Sequence, residues 1–204
     1  MTRSYGHYCG LARALDVIGD RWNLLIVREL LVAPARYREL LDGLPGVATN
    51  LLAARLRDLE AAGVVERRLA DEGNSVRYAL TPWGAALREP VEGLIRWSAP
   101  LMVRGPEGDA FDPDWLVLAL PALFAGRTVA RSAAVGVSVD GAAVIQIKAT
   151  SAGVTAGRHD GSALDAVVHA DPATVLGLAA GVLPVDDALR VDGDRAAVQA
   201  LFSA

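Results

Sequence analysis

Along the first hundred positions, apolar side chains recur at helical spacing in blocks separated by turn-forming residues. Leu11 to Ile18 reads as a short helix that Gly19 ends. Asp20 is placed to cap a second helix running to about Val32, with Trp22, Leu25, Ile26, Leu30 and Leu31 on its apolar face. Pro34 stops it. Tyr37 to Leu41 supplies one or two further turns, and Pro45-Gly46 reverses the chain. A longer helix then runs from Thr49 to Ala62, where the spacing turns Leu52, Leu56 and Leu59 inward and Asn50, Ala53, Ala54 and Arg57 outward. After Gly63, Val64 to Leu69 and Val76 to Leu80 read as two strands around a polar tip, Asp71 to Ser75. Thr81 and Pro82 form a cap and first-turn proline for a long helix expected to reach about Met102, striped by Leu87, Val91, Leu94, Ile95, Trp97 and Met102.

The pattern changes after Arg104-Gly105-Pro106-Glu107-Gly108, which has linker composition. Pro113 to Phe124 reads as a helix that Pro121 bends or ends. Strand-like runs follow at Ala134 to Val139, Ala143 to Ala149, Gly153 to Gly157 and Ala166 to His169, with Asp140-Gly141 as a hairpin turn. Asp171-Pro172 opens a helix that ends near Gly181, Leu189 to Val191 is a further strand, and Arg195 to Phe202 a last helix. The expected division is therefore 1–104, a linker at 105–111, and an α+β half at 112–204.

Helix, turn, helix and a two-stranded hairpin, in that order, predict a winged helix-turn-helix, mostly α with a β wing. Its second helix-turn-helix element is shaped to enter the DNA major groove. Net charge argues the other way until the chain is divided. The whole carries −4, but residues 1–104 hold 14 Arg against 12 Asp plus Glu, while the rest holds 6 Lys plus Arg against 12 acids. The halves are thus expected to meet different partners. One cysteine, Cys9, excludes an intrachain disulfide and suggests a reducing compartment. The start has no signal-peptide pattern, and no apolar run approaches the ~20 residues that cross a bilayer, so a cytoplasmic protein without membrane contact is expected.

From Tyr8 to about Leu87 the chain resembles the HxlR family of bacterial winged-helix transcriptional regulators. The resemblance is carried by Cys9, the run Ala14 to Gly19, Arg21-Trp22, Arg28-Glu29-Leu30, Arg36-Tyr37-Arg38-Glu39-Leu40, Leu44-Pro45-Gly46-Val47, Leu51-Leu52, the run Arg55 to Glu60, the run Gly63 to Arg67, Tyr78 to Thr81, and Gly84. Gly10 stands where the family usually has proline, and Ala48-Thr49-Asn50 with Ala53-Ala54 is blander than its usual recognition-helix start. Beyond the linker, Val168 to Thr174 and Leu189 to Asp194 resemble a sterol carrier protein type 2-like domain. That resemblance implies a sheet and helices around an apolar tunnel, hence an effector-binding module for a hydrophobic small molecule.

DNA affinity rests largely on neutralising phosphates, for which the planar guanidinium fork is suited. Arg36, Arg38, Arg55, Arg57 and Arg77 lie on the elements that would flank a groove, and each has the alternative of pairing with Glu39, Asp58 or Glu60. Thr49, Asn50 and Ala53 face the bases in this reading, although Thr49 also suits a helix cap. Two winged units about one helical turn apart (~34 Å) read a palindrome. A homodimer on double-stranded DNA is therefore expected, joined through the first helix and the helix from Pro82. In the second half, Trp115, Leu118, Phe124, Ile145, Ile147 and Leu176 are candidates for a ligand wall, and the same positions must also serve the core.

The resemblance also implies a redox or electrophile sensor at Cys9, with Arg3, His7 and Arg13 placed to lower its pKa. In that alternative the second half serves only assembly. No catalytic residues, metal ligands or cofactor are expected. The chain has no nucleophile elbow, phosphate loop or ligand cluster, and its three histidines (His7, His159 and His169) stand in no catalytic setting.

Overall fold

A computed structural model describes residues 4–69, 75–127, 129 and 131–202. The chain packs as two compact units, Met1–Val91 and Glu92–Ala204.

The first unit runs α1 (Gly10–Ile18), α2 (Asn23–Val32), α3 (Tyr37–Asp42), α4 (Thr49–Ala61), β1 (Val65–Leu69), β2 (Val76–Leu80) and α5 (Pro82–Ala85), and α6 (Arg88–Ser98) begins in it. Its core is built from Ile26, Val27, Leu40, Leu44, Leu52, Leu56, Leu59 and Val64, each at most 1% exposed. Full burial of each of the three α4 leucines contributes about 1.5–3 kcal/mol before entropy is counted. The outward positions of α4 are as the periodicity places them. β1 and β2 pair antiparallel, Val65 opposite Leu80 through Leu69 opposite Val76. The hairpin tip expected at Asp71 to Ser75 lies outside the described residues up to Asn74. Ala35 adds what the pattern did not reveal: it bridges Tyr78 through both backbone hydrogen bonds, at 2.8 and 3.0 Å, which ties the α2–α3 connection to the wing.

Three features of the first unit and the helix that leaves it differ from the sequence pattern. Asp20 does not cap α2. The helix begins later, after Trp22, whose backbone is left-handed (φ 83), and the Asp20 carboxylate accepts from Arg55 instead. Leu25 is 40% exposed and leaves the apolar face of α2 to Ile26, Val27, Leu30 and Leu31. The long helix from Pro82 is broken after Ala85 and resumes at Arg88. Pro90 accounts for the break: it has no N–H for the Ala86 carbonyl, and its ring would strike that carbonyl in a continuous helix. At the third position of a fresh helix it is harmless. Pro100 ends α6 in the same way, and Ala99–Arg104 continues as a 3-10 turn.

The second unit contains a 3-10 turn at Pro113–Trp115, then α7 (Leu116–Leu123), β3 (Ala133–Val139), β4 (Ile145–Thr150), β5 (Gly153–Arg158), β6 (Ala166–Ala170), α8 (Pro172–Ala179), β7 (Arg190–Gly193) and α9 (Arg195–Phe202). The sheet order is β5-β4-β3-β6-β7, and only β3–β6 is parallel. Asp140 and Gly141, both at positive φ, make the β3–β4 turn. Val135, Val137 and Val139 alternate onto one face with Ile145, Ile147 and Val168, all buried. Helices α7, α8 and α9 pack against these strands. Phe124 and Phe202 meet edge to face at 5.4 Å, and Arg127 lies 5.0 Å over the Phe124 ring. Its guanidinium donates to the carbonyls of Ala179, Leu201 and Phe202, closing the C-terminal ends of α8 and α9.

Candidate nucleic-acid interface

Helix α3, the Pro45-Gly46 turn and α4 bring the expected residues onto the exposed side of the first unit. Gly46 takes φ 87, a conformation glycine adopts without strain. Across the turn the Tyr37 phenol donates to the Thr49 carbonyl at 2.6 Å, so α3 holds the first turn of α4 directly. Glu39 accepts from the Arg36 backbone N–H at 2.8 Å and lies 3.7 Å from Arg77, linking α3 to β2.

The N-cap of α4 is Ala48, which has no side chain to cap with. Thr49 is therefore the first helical residue and not the cap. Thr49 and Asn50 are exposed, and among the described residues their side chains make no hydrogen bond. The first-turn amides of this 13-residue helix lack a side-chain acceptor. They present a partial positive charge of the kind that holds phosphate. Composition gave no sign of this, because the group is backbone.

The five arginines divide. Arg38 and Arg57 are exposed, and no carboxylate pairs with either among the described residues. Arg36 is exposed at the start of α3. Arg77 donates to the Pro34 carbonyl at 2.9 Å and is only partly free. Arg55 points elsewhere: Nη1 lies 2.6 Å from Asp20 and 3.2 Å from Asp58, on the flank of α4 toward the α1–α2 turn. Its position one residue before Leu56 carries it off the face that holds Asn50, Ala53 and Arg57. Arg67 and Arg68 of β1 are engaged as well, the first by both Glu60 oxygens at 2.8–3.1 Å and the second by Glu66.

Cys9 is exposed as the N-cap of α1, and its thiol pKa is held below the usual value by the backbone N–H groups of Ala12 and then Leu11. The helix terminus supplies this shift; of the side chains expected to add to it, Arg13 pairs with Asp16 at 3.6 Å, and Arg3 lies outside the described residues. Leu11 and Leu15 of α1 are 70% and 40% exposed. In the second unit Leu94, Trp97, Leu101 and Met102 are exposed too.

Of the six candidates for a ligand wall, Leu118, Phe124, Ile145 and Ile147 are at most 1% exposed within the helix-sheet core. Trp115 packs edge to face on Phe111 at 6.2 Å, and Leu176 is half-buried. A pocket of about 380 Å³ opens instead beside β6, the start of α8 and β7, lined by Leu178, Leu183 and Leu189 with His169, Asp171 and Arg190. None of the six lines it. Among the described residues no three His, Cys, Asp or Glu side chains gather as a metal site, and no helix is long and apolar enough to cross a membrane.

Comparison with known proteins adds the family. The HxlR-like helix-turn-helix family matches residues 17–104. The HTH-type transcriptional regulator sll1512 of Synechocystis is 37% identical over 84 residues, which span 41% of this chain and 62% of that protein. The HTH-type transcriptional regulator YodB of Bacillus subtilis is 35% identical over 86 residues, spanning 42% of this chain and 77% of YodB. A quinone-bound crystal structure of YodB covers 44% of this chain and 96% of its own at 31% identity, with a TM-score of 0.39.

Proposed function

The chain belongs to the HxlR-like helix-turn-helix family, matched over residues 17–104, and from that premise we propose that it is a DNA-binding transcriptional regulator in which α4 enters the major groove. The observation that carries this reading is the free first turn of α4: Thr49 and Asn50 are exposed, their side chains make no hydrogen bond among the described residues, and they stand above amides without a side-chain cap. Thr49 and Asn50 meet base edges, with Ala53 against the groove wall. Arg36, Arg38 and Arg57 meet phosphates, and Arg77 adds a weaker contact from the wing. Arg55 is left out of this set, because breaking its two carboxylate pairs would offset the gain.

The regulator acts as a homodimer on a two-fold operator. Exposed Leu11 and Leu15 on α1, and separately Leu94, Trp97 and Leu101, support a second copy as their cover. The second unit, in this reading a sterol-carrier-like effector module, receives an apolar small molecule, for which the Leu178, Leu183 and Leu189 pocket is the opening at hand. A second reading, oxidant or electrophile sensing, is favoured by one observation, the exposed Cys9 thiol with its pKa lowered at a helix N-terminus.

The test is titration of operator and non-operator DNA at several salt concentrations. Arg57→Ala weakens both and lowers the salt slope by about one ion. Asn50→Ala costs about 1–3 kcal/mol on the operator alone. Equal effects of both variants on both DNAs would refute the assignment.

A further inference from the structure

The first unit contains a cleft that DNA recognition leaves unused. It measures about 930 Å³, and its walls include Tyr5, Asp16, Asp20, Asn23, Arg55 and Ala61. They belong to the N-terminal arm, α1, the α1–α2 turn, α2 and the flank of α4 that faces away from Asn50. Among the described residues, two of these side chains carry buried polar atoms without a hydrogen-bond partner: Asn23 Oδ1, in a residue 1% exposed, and Arg55 Nε. The amide orientation of Asn23 is set by its Nδ2, which donates to the Val17 carbonyl at 3.0 Å, so Oδ1 is the acceptor left over. Native interiors rarely leave such atoms unpaired. Here an acceptor that lacks a donor and a donor that lacks an acceptor belong to the same cleft. Beside them Trp22 sits at φ 83, a strained backbone for a bulky residue.

From this cleft we infer that the winged unit binds a neutral polyhydroxylated small molecule, of the sugar or cyclitol class, that acts on α4. A hydroxyl group both donates and accepts, which matches the two complementary vacancies. Asp16, Asp20 and Asp58 outnumber Arg55, so an anion is repelled and hydroxyl donors are welcomed. Tyr5 and Leu15 offer an apolar wall for a ring face. Both orphaned atoms are sealed from solvent while Arg55 holds Asp20 at 2.6 Å. Occupancy therefore exchanges that ion pair for contacts to the ligand and releases the α1–α2 turn from the recognition helix. The ligand prefers the released arrangement because only there are Asn23 Oδ1 and Arg55 Nε satisfied, and that difference is what shifts DNA affinity. The inference does not depend on the effector proposed for the second unit.

The experiment is ligand-observed NMR on the full chain with glucose, galactose, mannose, maltose, sucrose and myo-inositol, and with glucuronate as the anionic control. At least one neutral compound is expected to bind and to change operator affinity several-fold, with glucuronate silent. Ala61→Trp, which fills the cleft from an exposed helix position, and Asn23→Ala are each expected to weaken binding at least tenfold. Ala61→Trp keeps the test decisive where Asn23→Ala unfolds. No binding by any neutral compound overturns the inference, as does equal binding by Ala61→Trp or preferential binding of glucuronate. An unchanged salt slope for Arg57→Ala would instead strike the DNA-contact assignment and leave this one standing.

Discussion

Adding one methyl group at Gly84 tests how the wing is joined to the helices. A Cβ built there lies 2.0 Å from the Val64 carbonyl oxygen and 3.2 Å from Leu80 Cδ2. Relief requires α5 to move by about 1 Å from the start of β1, since packed interiors leave no slack of that size. The same carbonyl accepts from Thr81 N–H at 3.0 Å, while Thr81 Oγ1 donates to the Gly63 carbonyl at 2.7 Å and accepts from Gly84 N–H at 3.0 Å. The displacement strains all three. Overpacking costs about 1–3 kcal/mol, a lost Thr cap about 1 kcal/mol, and a lost backbone hydrogen bond about 1 kcal/mol. Gly84→Ala is thus expected to lose about 3–5 kcal/mol, a large part of a typical domain's stability. The control is Gly93→Ala in α6, where the nearest atom to the new Cβ is the mobile tip of Arg96 at 3.8 Å. That variant is expected to gain about 0.5–1 kcal/mol from helix propensity. Urea unfolding of the full chain by circular dichroism, with amide exchange at Thr81, measures both. A Gly84→Ala variant within about 0.5 kcal/mol of the parent would refute the clash, because that difference is too small for buried overpacking.

Tyr37→Phe removes only the phenol that holds the Thr49 carbonyl. Operator affinity should fall by about 1 kcal/mol with the salt slope unchanged, and a shifted slope would mean that Tyr37 itself touches phosphate. Arg127→Met unties three helix-end carbonyls and should cost about 2–3 kcal/mol by urea unfolding, with part returned by Arg127→Lys; a silent Met variant would show that packing alone holds these ends. The lowered Cys9 pKa means that the folded chain binds fewer protons at this site than the unfolded one. The associated stabilisation is present above the unfolded pKa and is lost as pH falls through the folded value. Iodoacetamide labelling should therefore reach half its maximal rate at a lower pH in the folded chain than in urea, and coincident profiles would remove the helix terminus as the cause.

The periodicity of the chain determined the elements. Leucines at 52, 56 and 59, the Pro45-Gly46 turn and the Gly63 stop describe α4 without a structure, because local spacing and turn chemistry act over a few residues. The same holds for Thr81-Pro82, Asp140-Gly141 and the α+β run of the second unit. The helix break at Ala86 was missed, because the apolar stripe runs on but Pro90 vetoes the hydrogen bond four residues earlier. The Asp20 cap was expected and is not formed, because a carboxylate before a helix has two uses, and the choice of Arg55 depends on a residue 35 positions away.

Partnership is what only the tertiary structure decided. All five arginines look alike in sequence, yet among the described residues no carboxylate pairs with Arg38 or Arg57, while Arg55 is held by Asp20 and Asp58. The Ala35 bridge to Tyr78, the Tyr37 latch on Thr49 and the unpaired oxygen of Asn23 likewise join residues distant in the chain. Residue type and spacing fix what a side chain is able to do and which face of its element it occupies. Which of its possible partners it meets follows from how the elements pack, and that packing settles which groups are left free for a ligand.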